Sequence, residues 1–332
     1  APMGGGASTP ELASAVSKAG GLGFLAGGYK TADAMRQEII AIRKLTDAPF
    51  GVNLFVPDKG TSVDAKAVSD YKERLKSEAD RLGVSLGEPL ADDDDWDAKL
   101  SIITEQRVPV VSFTFGCPSL EIIEALKNNG SLVVVTVTTP QEAVIAKQAG
   151  ADAICVQGVE AGAHRASFVN KEPNEEDRSL LVLLRLVRQV VDTPIIAAGG
   201  ITHGSDVAAM LMAGACAAQL GTAFLLCPES GTHPVHKAAL TDPQFSSTTV
   251  TRAFTGRNAR GLVNRFMSDY NAVAPMAYPQ IHHMTKTIRK AAGETNDPNA
   301  MSLWAGQGYP FAKAVPAAEI VNELMAQARQ GL

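Results

Sequence analysis

Residues 132–158, LVVVTVTTPQEAVIAKQAGADAICVQG, decide the fold. The stretch opens on a valine-rich apolar run, LVVVTVT, and closes on a second one, ADAICVQG. Neither alternates apolar with polar residues, so each reads as a strand covered on both faces. Between them PQEAVIAKQAG reads as a helix, with Thr139-Pro140 as its start and Gly150 as its stop. Strand, helix, strand in that order means parallel pairing through a helical crossover.

The same unit repeats in both directions. GLGFLAGG, FGVNLFV and PVVSFTFG lie upstream, TPIIAAGG and CAAQLGTAFLL downstream, with helix-like segments such as ADAMRQEIIAIRKL and SLLVLLRLVRQVV between them. That makes seven strands. An eighth is obtained if Ala1-Pro2-Met3 ends a strand whose beginning lies before this chain, and eight would close a (β/α)8 TIM barrel; an open doubly wound sheet is the alternative. The expected organisation is an α/β barrel over residues 1–226, interrupted by a charged excursion at 62–107. A smaller helix-rich region over 227–332 follows, its last helix packing back on the barrel.

Composition narrows the function. A chain of 332 residues, 45% hydrophobic with mean hydropathy near zero, buries a sizeable core. A net charge of −5 leaves no broad basic surface, which argues against nucleic acid. No window is apolar for long enough to span a bilayer, and the opening residues lack a signal-peptide pattern, so a cytoplasmic location with no membrane partner is expected. Cys117, Cys155, Cys216 and Cys227 form no C-x-x-C pair and are expected to be buried reduced thiols. The acidic run Asp92 to Asp95 lacks the ligand spacing of a Ca²⁺ loop and reads as a solvated loop or helix start. His203, His233 and His236 have no ligand-like partner set, so no metal site is expected.

The strands end in small or polar residues: Met3-Gly4, Asn53, Gln157-Gly158, Gly199-Gly200, and Gln219 with Gly221-Thr222. In a parallel β/α protein these ends share one face, and that face holds the site. Gly199-Gly200 and Gly221-Thr222 fall on the last two strands, where bare backbone N–H groups bind phosphate; tight turn geometry alone is the plainer reading. GLGFLA fits G-x-G-x-x-A but follows a helix and opens a strand, the reverse of a dinucleotide site.

Taken together, APMGGGASTPELASAVSKAGGLGFLAGG, PFGVNLFVP, GADAICVQGVEAGAHRASF, PIIAAGGI, QLGTAFLLCPESG, RAFTGRNARGLVNRF and LWAGQG resemble the nitronate monooxygenase family, formerly called 2-nitropropane dioxygenases. The likeness runs in order from Ala1 to about Gly308. It implies a TIM barrel binding FMN and an enzyme oxidising alkyl nitronates, such as propionate 3-nitronate, with O2 to carbonyl compounds and nitrite through a flavin semiquinone. It also implies cofactor contacts from Met3, Gly4, Asn53, Gln157, Gly162, Gly199, Gly200, Gln219, Gly221 and Thr222. His164 is the implied catalytic base, taking the α-proton of a neutral nitroalkane or holding the nitronate anion. Gly162 and Ala163 are expected to be small so that a flat ring can lie close; the family usually has Gly at the second of these. Glu160 orients the loop or His164, or simply anchors the loop.

Tyr278, His282 and Lys286, spaced by four, are weaker substrate candidates if their segment is helical. Arg257, Asn258 and Arg260 contact substrate or clamp two regions together. The expected partners are a small anionic nitronate, O2 and a second copy of the chain in a homodimer. An NAD(P)H-dependent FMN reductase of the same superfamily, acting on quinones or enoyl-acyl-carrier substrates, is the alternative, because it shares the phosphate glycines and the histidine loop.

Overall fold

The computed structural model describes residues 1–58, 63–171 and 177–331. Helix α1 (Pro10–Lys18) leads into β1 (Gly23–Ala26), α2 (Ala32–Leu45) and β2 (Phe50–Phe55). Then come α3 (Ala65–Arg81) and α4 (Trp96–Glu105), filling the excursion, whose expected first residue, 62, lies outside the described residues. β3 (Val110–Thr114), α5 (Leu120–Asn128), β4 (Leu132–Val137), α6 (Pro140–Gln148) and β5 (Ala153–Gln157) follow in strict alternation. Next are the short β6 (Ala163–His164), α7 (Leu180–Val190), β7 (Ile195–Ala198), α8 (Gly204–Met212) and β8 (Ala217–Gln219). The remainder holds α9 (Pro234–Ala239), β9 (Thr248–Thr251), β10 (Ala259–Leu262), α10 (Arg265–Tyr270), α11 (Gln280–Glu294) and α12 (Ala317–Gly331).

Strands β1, β2, β3, β4, β5, β7 and β8 pair in that order, every pair parallel. They curl into the TIM-barrel-like α/β fold that the crossover units require. Three of the helices between and before them start at a threonine whose hydroxyl accepts a first-turn N–H: Thr9, Thr31 and Thr139. Along β4 the side chains part by alternation. Val133, Val135 and Val137 pack outward under the helices, whereas Val134 turns inward with Phe24, Val110, Cys155 and Ala198 to fill the barrel. Two residues further on, Thr136 reaches the open end, where a cavity begins.

Residues 1–3 form no strand. The Ala1 ammonium donates to Leu220 O at 2.7 Å, just past β8, so the described barrel wall is seven-stranded. The run CAAQLGTAFLL also divides: β8 stops at Gln219, and Thr222–Phe224 tighten into a 3-10 turn. To the helices expected after residue 226 the structure adds a small antiparallel sheet ordered β6, β10, β9. Its strands are two to four residues long, too short to show a period in the sequence. Helix α12 lies against α1 and α8. Ile320, Val321 and Leu324 cluster with Leu12 and Phe224, and a Cβ on Gly204 would come within 2.6 Å of Leu324 O.

The acidic run is the expected exposed loop and helix start: Asp92, Asp93 and Asp95 are exposed and Asp95 is the N-cap of α4, but the run also makes specific contacts. Asp92 Oδ2 lies 2.5 Å from His283 Nε2 on α11, and Asp94 accepts the Tyr29 N–H at 2.9 Å and pairs with Lys99 Nζ at 2.8 Å. Asp95 accepts the Ala32 N–H at 3.0 Å. Three of the four consecutive aspartates thus tie the end of the excursion to the β1–α2 loop, the start of α2 and α11. The cysteines are free; Cys155 and Cys227 are buried and Cys117 half-buried, but Cys216 is exposed. It sits at the entry to β8, at the amino ends of the strands. No described helix is long and apolar enough to cross a membrane.

Candidate active site

The carboxyl ends of the parallel strands surround a cavity of about 540 Å³. Every expected cofactor contact lines it, with His164, His282 and Lys286; Tyr278, Glu160, Arg257, Asn258 and Arg260 do not. At one end the chain turns over at Gly199 and Gly200, with φ of 125° and 72°, angles at which a side chain is strained. These turns pack three loops together. A Cβ on Gly200 would approach Glu160 Cβ to 3.0 Å, and one on Gly308 would approach Gly200 O to 2.9 Å. Beside them Thr222 Oγ1 accepts the Gly306 N–H at 2.9 Å and keeps its own hydrogen to give. The atoms nearest to where a Gly221 Cβ would stand belong to Ala1 and Met3, 3.5 Å and more away.

The side walls are amides held from behind. Asn53 Nδ2 donates to Ser112 Oγ at 2.9 Å and Thr114 Oγ1 at 3.0 Å, which fixes the amide against β3. Gln157 is spent on the loop that follows it: Nε2 donates to His164 O at 3.0 Å and Oε1 accepts Ala166 N–H at 2.9 Å. Gln219 Nε2 rests 3.4 Å from Cys155 Sγ. Glu160 points away from His164; its carboxylate accepts the Leu180 N–H at 3.0 Å and caps α7, so it anchors the loop. Gly162 is small for a reason other than a flat ring. A Cβ there would lie 2.4 Å from Gly306 N, so the loop closes backbone to backbone on residues 305–306. Ala163 takes φ of 62°, a left-handed conformation that glycine would adopt freely.

That turn aims His164 into the cavity. Its backbone is registered opposite Ala259 of β10, and its ring sits among Tyr29, Phe115, Tyr278 and Trp304 with centroids 5.7 to 6.2 Å away. Nε2 lies 2.9 Å from Thr255 Oγ1. Burial, helped by the Arg257 and Arg289 guanidiniums, pushes the imidazole down to about 3, so it is neutral at physiological pH. Arg257 lies 4.1 Å over the Phe115 ring and donates to the carbonyls of Arg165 and Ser167. Arg289 lines the cavity, donating to His282 O at 2.8 Å and Thr285 Oγ1 at 3.2 Å. Neither guanidinium has an ion-pair partner among the described residues. Asn258 and Arg260 donate to Lys171 O and Val159 O, so this arginine-rich turn clamps the histidine loop instead of lining the cavity.

On α11, His282 stacks on Tyr29 with centroids 4.1 Å apart, and burial drives it well below the usual histidine range. Lys286 lines the mouth one turn later and is exposed. Tyr278 precedes the helix; its hydroxyl meets that of Tyr29 at 3.2 Å, and it backs His164. Tyr29, Phe115, Thr255, Arg289 and Trp304 were not foreseen at the site. The first two lie just past strand ends, Tyr29 three residues after β1 and Phe115 directly after β3, at φ of 65° and 73°, a position that sequence can flag; the other three come from distant segments. His236, dismissed as a metal ligand, also lines the cavity, and among the described residues no cluster of three or more His, Cys, Asp or Glu could hold a metal.

Known proteins resemble this arrangement closely. A family model described as nitronate monooxygenase matches residues 1–327. A nitronate monooxygenase of Pseudomonas aeruginosa is 40% identical over 98% of this chain and 94% of its own length. A probable nitronate monooxygenase of Bacillus subtilis is 36% identical over 98% and 93%. Among solved structures, a nitroalkane oxidase from Streptomyces ansochromogenes superposes with a TM-score of 0.96 at 51% identity, covering 100% of this chain and 95% of that one. FabK from Thermotoga maritima has a TM-score of 0.76 at 30% identity, covering 99% and 91%.

Proposed function

Because the chain belongs to the nitronate monooxygenase family, we infer that it oxidises alkyl nitronates, propionate 3-nitronate among them, with O2 to a carbonyl compound and nitrite, using FMN held in this cavity. The observation that carries the reading is the pair of guanidiniums, Arg257 and Arg289, near a neutral His164, neither of them ion-paired to a carboxylate among the described residues. A cavity built this way is a sink for an anion.

FMN suits the residues present. The cavity falls within the roughly 300–1,000 Å³ of small-molecule sites. Bare backbone at Gly199, Gly200 and Gly221, with the Thr222 hydroxyl, would hold the phosphate. Met3, Gly4 and Gly162 would flank the ring, with Asn53 and Gln219 offering amides at its polar edge and Gln157 holding the wall in place. When bound, FMN supplies the electron-transfer chemistry that links nitronate to O2.

The protein's own part is binding and proton handling. A nitronate is drawn in by Arg289 and Lys286, which line the cavity, and by the field of Arg257 buried behind its wall. For a neutral nitroalkane, His164 takes the α-proton; the C–H electron pair moves into a C=N bond and the nitro oxygens take the charge. An imidazolium beside two guanidiniums is costly, and the nitronate formed against it offsets that cost. The preformed nitronate is therefore the better substrate. The test is an oxygen-electrode assay of the purified protein with propionate 3-nitronate and ethylnitronate, with nitrite measured and the released flavin identified. Oxygen uptake with matching nitrite and no NADH is expected. Silence there, with NADH oxidised in the presence of a quinone, would keep the site and replace the reaction.

A further inference from the structure

We propose that Thr255 is the positioning residue that fixes the tautomer of His164, so that Nε2 carries the hydrogen and the Nδ1 lone pair faces the cavity as the proton acceptor. The proposal rests on the reading of His164 given above.

The assignment follows from hydrogen-bond accounting. A threonine hydroxyl has one hydrogen and two lone pairs. Around Thr255 Oγ1 the structure places three partners: Arg257 O at 3.1 Å, Arg257 N at 3.4 Å and His164 Nε2 at 2.9 Å. The carbonyl can only accept, so it takes the hydrogen. The amide N–H can only donate, so it takes one lone pair. With the second lone pair left for His164, Nε2 as donor is the arrangement that satisfies all three partners, whereas giving the hydrogen to Nε2 would take it from the carbonyl of the buried Arg257. With Nε2–H committed, neutral imidazole has its lone pair on Nδ1. No described residue hydrogen-bonds to Nδ1, and His164 lines the cavity. Gln157 on the His164 carbonyl, the β10 pairing and the four surrounding rings hold the imidazole plane. The charged and titratable groups facing it are Arg257, Arg289, Tyr29, Tyr278 and His282, none of them a carboxylate that could stabilise the opposite tautomer.

The transferred proton passes from the α-carbon of a neutral nitroalkane to Nδ1, leaving a nitronate anion and an imidazolium. The positive charge is shared with the Nε2–H that Thr255 already holds. A nitronate supplied as such skips this step. The role of Thr255 is therefore specific to the neutral substrate.

The experiment compares native protein with Thr255→Val, Thr255→Ser and His164→Ala, loaded with flavin, on nitroethane and on ethylnitronate. In Thr255→Val the ratio of kcat/KM for nitroethane to that for ethylnitronate should fall at least tenfold, through kcat more than KM, and Thr255→Ser should restore it. Independently of turnover, ¹⁵N NMR of histidine-labelled protein, with the His164 signals assigned by their loss in His164→Ala, should show Nε2–H in the native and serine forms. Thr255→Val should show a mixture of tautomers. A native signal with hydrogen on Nδ1, or an unchanged tautomer and ratio in Thr255→Val, would overturn the role of Thr255. If native protein leaves nitroethane untouched, or His164→Ala turns it over as native does, the reading of His164 as acceptor falls and this proposal with it.

Discussion

Two neighbouring small residues in the histidine loop are small for opposite reasons. Gly162 has an ordinary backbone conformation and no room, whereas Ala163 has room and a left-handed backbone. Adding a methyl group to the first forces it onto Gly306 N, and overpacking against fixed backbone costs about 1–3 kcal/mol. Removing the methyl group of the second relieves a strain of about 1–2 kcal/mol, less the roughly 0.5–1 kcal/mol that glycine loses in chain entropy. Gly162→Ala should therefore lower the thermal midpoint and weaken turnover, while Ala163→Gly should hold or raise the midpoint; equal losses in both would disprove the distinction. The sequence marks both positions as small and cannot say why. The neighbour of Gly162 is Gly306, far along the chain, and the left-handed φ of Ala163 is disguised by a residue that seldom adopts it.

The parallel strands were legible because burial on both faces leaves unbroken apolar runs, and the helices between them because threonine caps and glycine stops act locally. β9 and β10 were not. Arg260 is buried in the middle of a strand whose partners lie on other segments, so composition argues against what tertiary pairing enforces. The site was legible in the same measure: glycines and amides at strand ends could be read in order along the chain, but the guanidiniums and rings that α11 and residues 254–257 and 304 bring to His164 could not. The acidic run is the clearest case, since its meaning lies in Tyr29, Ala32, Lys99 and His283. Lys99 is almost wholly buried against Asp94, whose carboxyl is pushed up by burial despite that partner. Breaking a buried pair costs about 3–5 kcal/mol, and the lower end applies because Asp94 keeps the Tyr29 N–H. Lys99→Met should lower stability by that order. It should also raise KM for nitronates, because Tyr29 carries His282 at the cavity wall; thermal melts and steady-state kinetics check the two parts separately.

Across the described molecule, three histidines stay uncharged around one cavity, His282 buried and His164 and His236 half-buried. His164 is held down to about 3, His236 to about 4, and His282 well below its usual range, burial leading in each case. Unfolded, each takes up a proton near pH 6.5. Below that pH the unfolded chain binds more protons than the folded one, so stability falls as pH falls, by up to about 1.4 kcal/mol per pH unit for each histidine. Denaturant midpoints should decline steadily from pH 7 to pH 5. His282→Phe, which keeps a ring against Tyr29, should flatten that slope; an equally steep decline in the variant would assign it to other groups. One surface feature has a practical use. Cys216 is the exposed thiol among the four, and it lies at the amino ends of the strands, opposite the cavity mouth. Maleimide coupling at that single sulfur would tether the enzyme to a bead or electrode in one orientation, its mouth turned toward the bulk liquid.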